Sequence, residues 1–217
     1  MSERVKIILD KNADILRLPA IALRGLVVFP GNIIHFEVGR KKSIAAIEWA
    51  MSNNNAVFLT AQQDMDVEDP GFKDLYAYGV VAEVKQVLRV SDELVKVLVE
   101  GKYRAKLLTL DSSGRFLLAS TKAAALRGTK SVDSARVEAL VRSVKEAFEE
   151  YLSLNPRLSK DVVYTIITNE DAALLCDYIP ANLLLKYTDK QALLNEGTVS
   201  GRLEKLLEIL RRETKIL

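Results

Sequence analysis

The stretch from Val80 to Leu107 constrains the fold more than any other, because it alternates twice and turns once. In Val95, Val97, Val99, Tyr103, Ala105 and Leu107 the apolar side chains share one parity, while Lys96, Glu100, Lys102, Arg104 and Lys106 take the other. A period of two is the mark of a strand with one buried face. Upstream, Ala82, Val84, Leu88 and Val90 alternate with Glu83, Lys85 and Arg89, and Ser91, Asp92 and Glu93 separate the two runs as a turn. A long antiparallel hairpin follows. Gly101 lies inside the second arm without breaking its polarity, so it marks a bulge or bend where the strand curls. A sheet that bends there can close on itself.

Shorter elements flank the hairpin. Leu18 to Phe36 carries two apolar runs, Ile21 to Leu23 and Leu26 to Phe29, joined by Arg24 and Gly25 and closed by Pro30 and Gly31. Short strands are expected there, with Ile33 to Val38 opening a new one after the turn. Between Lys42 and Ser52 the spacing of Ile44, Ile47 and Met51 predicts a helix capped by Ser43. Val57 to Ala61 and Phe116 to Thr121 read as strands, and the acidic segment Gln62 to Lys73, with Pro70 and Gly71, reads as an exposed loop.

Past Ala124 the texture changes to helices, with a joint near Gly128 to Ser131. Val137, Leu140, Val141, Val144, Phe148 and Leu152 mark one face of a long helix with Asp133 or Ser134 at its cap and Asn155 and Pro156 at its end. Helices follow from Lys160 to Thr168, from Glu170 behind an Asn169 cap to Tyr178, and from Asp189 to Asn195, with Pro180 separating two of them. The last uses Leu203, Leu206, Leu207 and Leu210 as its apolar face, with Glu208 and Arg212 as an exposed pair. It has no stop signal at Leu217, which suggests a piece of something longer. The expected fold is α+β: a β-rich curled sheet or pseudo-barrel with one helix in residues 1–124, then an all-α helical bundle in residues 125–217.

Chemistry is sparse in this sequence. A chain of 217 residues with Lys+Arg 31 against Asp+Glu 29 has a net charge of only +2, and its longest basic run is Arg40, Lys41, Lys42, so direct nucleic-acid binding is not expected. Cys176 is the sole cysteine, which excludes an intrachain disulfide and favours a reducing, cytoplasmic setting. No secretory signal or membrane span is visible. The phosphate cradle G-x-x-x-x-G-K-[ST] is absent, and Gly39 to Ser43 resembles only its tail. His35 is the single histidine, without a second ligand or a nucleophile motif. Cys176 sits in an apolar helix and reads as a buried, inert thiol. Asp64, Asp66, Glu68 and Asp69 lack the glycine and terminal bidentate glutamate of a calcium loop. No catalytic residue, cofactor or metal is expected. What remains is apolar surface near turns, where Phe29, Pro30, Ile33, Ile34, Phe36, Leu75 and Tyr76 are the candidate polypeptide-binding residues.

The residues from Leu18-Pro19 through Val27-Val28-Phe29-Pro30-Gly31 to Val38-Gly39-Arg40-Lys41-Lys42-Ser43 resemble the opening of the Lon family of ATP-dependent proteases. The resemblance extends through Phe58 to Gln62, Asp69-Pro70-Gly71, Tyr78 to Ala82 and Val95 to Gly101, and reaches Leu154-Asn155-Pro156 and Arg202 to Leu207. Ala22 stands where the family usually has a second proline and Gly25 where an aspartate is common. This likeness implies a non-catalytic amino-terminal domain that captures unfolded or damaged proteins and supports hexamer assembly. ATP hydrolysis and Ser-Lys proteolysis would then lie in a longer parent. Two other readings are an assembly or dimerisation module and a free-standing Lon-substrate-binding protein. Sequence alone does not name the clients.

Overall fold

The structure, a computed structural model, describes residues 15–128 and 134–216. Within them the chain forms two compact units, one ending at Ala125 and the other beginning at Leu126.

The first unit is a six-stranded sheet: β1 (Leu16–Leu23), β2 (Ile33–Val38), β3 (Ala56–Ala61), β4 (Tyr78–Arg89), β5 (Val95–Asp111) and β6 (Leu117–Ala123), with helix α1 (Lys41–Asn53) between β2 and β3. Its strand order is β2-β5-β4-β3-β1-β6, and β6 also pairs with β5, so five strands close into a ring. The predicted hairpin is β4–β5. Its turn is held by Val90 N–H donating to the Leu94 carbonyl at 2.9 Å.

Closure depends on two bulges. Val81 faces Tyr103 while Ala82 faces Gly101, leaving Lys102 as the extra residue; Val84 faces Val99 while Gln86 faces Leu98, leaving Lys85 extra. Gly101 therefore sits at the first bulge, and it has a second role. A Cβ there would lie 2.2 Å from the Phe29 carbonyl oxygen, so only glycine lets the chain cross so close. Gly31 N–H and the Asn32 carbonyl bond to Gly101 at 2.8 and 2.9 Å, and Gly31 turns with φ +77°.

The second bulge corrects the alternation expected in β4. Beyond Lys85 the parity slips by one, so Val87 faces Val97 while Leu88 and Val90, expected inward, are exposed. It also explains how Glu83 and Glu100, directly opposed across the ladder, tolerate each other. Lys85 Nζ lies 2.8 Å from both carboxylates, and Lys102 Nζ lies 3.0 Å from Glu83 and 2.7 Å from Glu100. Two bulged lysines thus neutralise a like-charge pair. Burial opposes ionisation of Glu83, but hydrogen bonds from Lys85 and Lys102 prevail and hold its carboxyl below the ordinary value; the same two lysines lower Glu100.

Inside the ring Leu18, Ala20, Phe58, Val81, Tyr103, Ala105, Leu107 and Leu117 pack together. β3 is buried along its whole length, with α1 packed on β1 and β3 outside. That is why Ala56 to Ala61 reads as a nearly continuous apolar run. Three further expectations change here. Leu26 to Phe29 pairs with no strand, because β1 ends at Leu23 and the segment is buried through Val27, Val28 and Phe29 instead. Ser43 does not cap α1: the cap position is Arg40, and Ser43 lies within the first turn. Arg104, expected on the polar face, is buried with its guanidinium 3.9 Å above the Tyr78 ring and donates to the Ala124 carbonyl at 2.8 Å.

The second unit holds α2 (Ser134–Leu154), α3 (Lys160–Thr168), α4 (Ala172–Asn182), α5 (Tyr187–Asn195) and α6 (Val199–Ile216). α2 and α6 pack along each other through Val141, Val144, Phe148, Leu203, Leu206 and Leu210. Ser159 caps α3, and Asp171, rather than Asn169, caps α4 by accepting from the N–H groups of Ala173 and Leu174 at 3.0 and 3.1 Å. Pro180 lies within the last turn of α4 instead of between helices, where few further amide bonds are at stake. Arg212 pairs with Asp189 and with Glu213 at 3.2 Å, not with Glu208. Asp133 lies outside the described residues, as do 129–131 of the expected joint.

Arg202 organises this unit. Fully buried, it meets Asp177 through Nη1 and the carbonyls of Leu194 and Glu196 through Nη2 at 3.4 and 3.0 Å. It draws α4, α5 and the turn before α6 onto one cation. Cys176 packs beside it, and burial pushes its thiol up to about 12, so it is not a thiolate at neutral pH.

Candidate functional site

The ring closes along only part of its length. β6 pairs with the first half of β1, from Leu16 to Ala20, and with the last part of β5, from Ala105 to Asp111. β2 occupies the same edge of β5 further back, from Val95 to Glu100. Between β2 and the second half of β1 no strand is inserted among the described residues. The seam holds a cavity of about 440 Å³ lined by Ile21, Ala22, Leu23, Arg24 and Leu26 on one wall and by Phe36, Glu37, Val38, Gly39, Arg40 and Ser43 on the other. Side chains of one strand face alternate, so a wall of consecutive residues exposes a backbone edge. β2 thus offers an unpaired ladder, and the Ala22 carbonyl on the facing wall accepts from Arg40 Nη1 at 3.3 Å.

The seven candidate residues separate at this seam. Phe36 lines the cavity, and Ile34, half-buried, shares its parity on β2. Ile33, 64% exposed, begins the strand on the other face, beside half-buried Pro30. Phe29 and Leu75, in contrast, are 0% and 3% exposed. Phe29 is locked under Gly101 and Leu75 is part of the barrel interior, so neither side chain is offered to a partner. Tyr76 is half-buried with its backbone tied to the end of β3, its N–H donating to the Ala61 carbonyl at 3.0 Å and its carbonyl accepting from Thr60 Oγ1 at 2.8 Å.

Sequence reasoning missed Ile21 to Arg24, Arg40 and Ser43. Arg24 and Arg40 converge on the Val67 carbonyl at 3.4 and 3.2 Å, where Gln62 Nε2 also donates at 2.9 Å, clamping the acidic loop beside the cavity. Burial, then the charge of Arg24, lowers the Arg40 pKa, with Asp69 opposing. A visible signal existed in the basic start of α1, whose first turn contains no acid. His35 is exposed on β2, and among the described residues no three His, Cys, Asp or Glu side chains cluster as metal ligands. No helix among those residues is long and apolar enough to cross a membrane.

The helical unit carries a separate open groove of about 480 Å³, lined by Leu152, Pro156, Leu158, Lys160, Val163, Tyr164 and Ile167. Tyr164 is 70% exposed there.

A barrel with one helix, followed by a helical unit, defines a mixed α+β module of the kind solved at the amino terminus of Lon proteases. The fold is similar to the N-terminal domain of Mycobacterium avium complex Lon protease, with a TM-score of 0.73 and 20% identity over 90% of this chain and 98% of that one. It is also similar to the Lon N-terminal domain protein from Xanthomonas campestris, with a TM-score of 0.59 and 15% identity over 89% of this chain and 98% of that one. The chain belongs to the Lon substrate-binding domain family: the family model described as the ATP-dependent protease La (LON) substrate-binding domain matches residues 17–212. Relatives include the Lon proteases of Desulforamulus reducens, 38% identical over 95% of this chain and 25% of that protein, and of Escherichia coli K12, 36% identical over 95% and 26%. The chain spans about a quarter of the length of the curated relatives it matches.

Proposed function

We propose that this chain is the substrate-recognition domain of a cytoplasmic, ATP-dependent Lon protease. It binds unfolded or damaged polypeptide and supports assembly of a hexamer, while ATP hydrolysis and peptide-bond cleavage take place outside it. The open seam carries this reading. An unfolded chain offers backbone N–H and C=O groups whatever its sequence, and an unpaired strand edge bonds to them without asking for particular side chains. Ile33, Ile34 and Phe36 add apolar contact along the same strand, with Pro30 beside them. A folded client keeps its backbone groups in its own ladders and helices, which gives selectivity for the unfolded state.

The test is fluorescence anisotropy of a labelled, permanently unfolded protein titrated with the full chain, beside its natively folded counterpart. Saturable binding of the unfolded form alone is expected, weakened several-fold by Ile33→Ser with Phe36→Ser. Equal binding of both forms, or of neither, defeats the reading.

The apolar groove at Tyr164 favours a second role, in assembly. Pairing of two copies through a self-complementary patch buries roughly 1,200 Å² or more. Sedimentation at rising concentration should then show an associating species that Tyr164→Ser with Ile167→Ser abolishes.

A further inference from the structure

The two ends of the seam differ, and the difference specifies which part of a polypeptide fits. At the end where β2 runs into α1, the cavity wall turns through Gly39 and Arg40 into the first turn of the helix. The first intrahelical bond is Ile44 N–H to the Arg40 carbonyl at 2.9 Å, so the amides of Lys41, Lys42 and Ser43 precede the ladder. Arg40 supplies no side-chain cap and the first turn holds no acid. The helix thus presents uncompensated positive dipole at the seam.

A second observation points to a ligand. Ser43 is 7% exposed and lines the cavity, yet its hydroxyl has no hydrogen-bond partner among the described residues. Arg24 and Arg40 stand on the same cavity, and neither forms an ion pair with a described carboxylate: Asp69 is taken by Lys42 at 3.2 Å and Glu37 by Lys96 at 3.6 Å. A buried hydroxyl, free helix amides and two guanidiniums satisfied only by carbonyl oxygens form a donor set with no acceptor of matching charge.

We infer that this corner captures the terminal carboxylate of an extended polypeptide lying along β2. The inference rests on the strand-edge reading above and names the segment that the edge prefers. Geometry favours a chain end over an internal acidic side chain. β1 is antiparallel to β6, β6 to β5 and β5 to β2, so β1 and β2 run in opposite directions. A guest whose carboxylate reaches α1 runs parallel to β2 and antiparallel to β1. There it meets the Gly39–Arg40 turn head on, where a continuing chain would have to pass through the helix. A chain that stops leaves its carboxylate against Ser43 and the helix amides.

The experiment uses the full chain and three fluorescein-labelled peptides of alternating valine, serine and threonine. One ends in a free carboxylate, one is amidated, and one is amidated with an internal aspartate. The free acid is expected to bind about tenfold more tightly than either amidated peptide, the loss expected for one charge-assisted contact set. Ser43→Ala and Arg24→Gln should each reduce that ratio while leaving the amidated peptide's affinity unchanged. Equal affinity of the free acid and the amide overturns carboxylate capture and leaves strand-edge recognition standing. Equal affinity of the free acid and the aspartate peptide, with the plain amide weaker, overturns the chain-end assignment. Absence of binding by all three overturns the strand-edge reading and this inference together.

Discussion

The two units are held together by opposite means. In the β-rich unit, strands far apart in sequence are drawn close by backbone: β1 pairs with β6, and Gly101 admits the Phe29 carbonyl where any side chain would block it. In the helical unit neighbouring helices meet through side chains, and a single buried cation, Arg202, ties several segments at once. Their surfaces follow suit. The first unit leaves open a strand edge, which recognises backbone; the second leaves open a groove of apolar side chains. A contact made through backbone is indifferent to client sequence, whereas one made through side chains requires a partner of matching shape.

The largest effect should come from Gly101→Val. Its branched side chain meets a carbonyl oxygen that cannot move without unpairing β2 from β5, and a loss of more than about 4 kcal/mol is expected. Urea unfolding followed at the tyrosines of the barrel and by helical circular dichroism should show the first transition shifted and the second retained. A single shared shift would break the contrast drawn between the units.

Arg202→Ala comes next. It leaves Asp177 without its buried partner and two carbonyls without their donor, at a cost of about 3–5 kcal/mol, mostly in the helical transition. The double change Arg202→Met with Asp177→Ala should cost clearly less, because no charge is then stranded. If the double variant is as unstable as the single, Arg202 acts through shape rather than charge. Asp171→Ala removes a cap that accepts two amides and should cost about 1 kcal/mol in the same transition.

The smallest effect is electrostatic and belongs to the barrel. Glu83 and Glu100 both titrate below their ordinary value of 4.5 when folded, so the unfolded chain holds on to protons that the folded one has released. Their stabilisation is complete above that value and is lost as pH falls through the folded values. Thermal unfolding of the first unit should become easier across that acid window, and the slope should flatten in Lys85→Met with Lys102→Met. Cys176 offers a matching probe for the other unit. Buried and with its thiol pushed up to about 12, it should react with iodoacetamide only as fast as the helices open.

Much of this architecture was legible in the chain. The alternation from Val95 to Leu107 specifies β5 and its buried parity. The spacing from Val137 to Leu152 specifies α2, and the change of period after Ala124 marks where strands give way to helices. Binding residues were harder to read. Phe29 and Leu75 have the composition of a sticky surface and are core, because large apolar side chains are as useful inside a barrel as on its rim. Ser43 looks like a helix cap from its place beside an apolar periodicity, and the structure makes it a free hydroxyl instead.

By itself the sequence determined which segments form strands and helices, because periodicity is a local property that each segment carries with it. Tertiary structure decided the rest. A bulge at Lys85 reversed the exposure of Leu88 and Val90, since one extra residue exchanges the two faces of a strand. The pairing of β6 with the far end of β5 determined which half of β1 is covered and which stays open. An unpaired edge is the absence of a neighbour, and no residue along the chain encodes it alone.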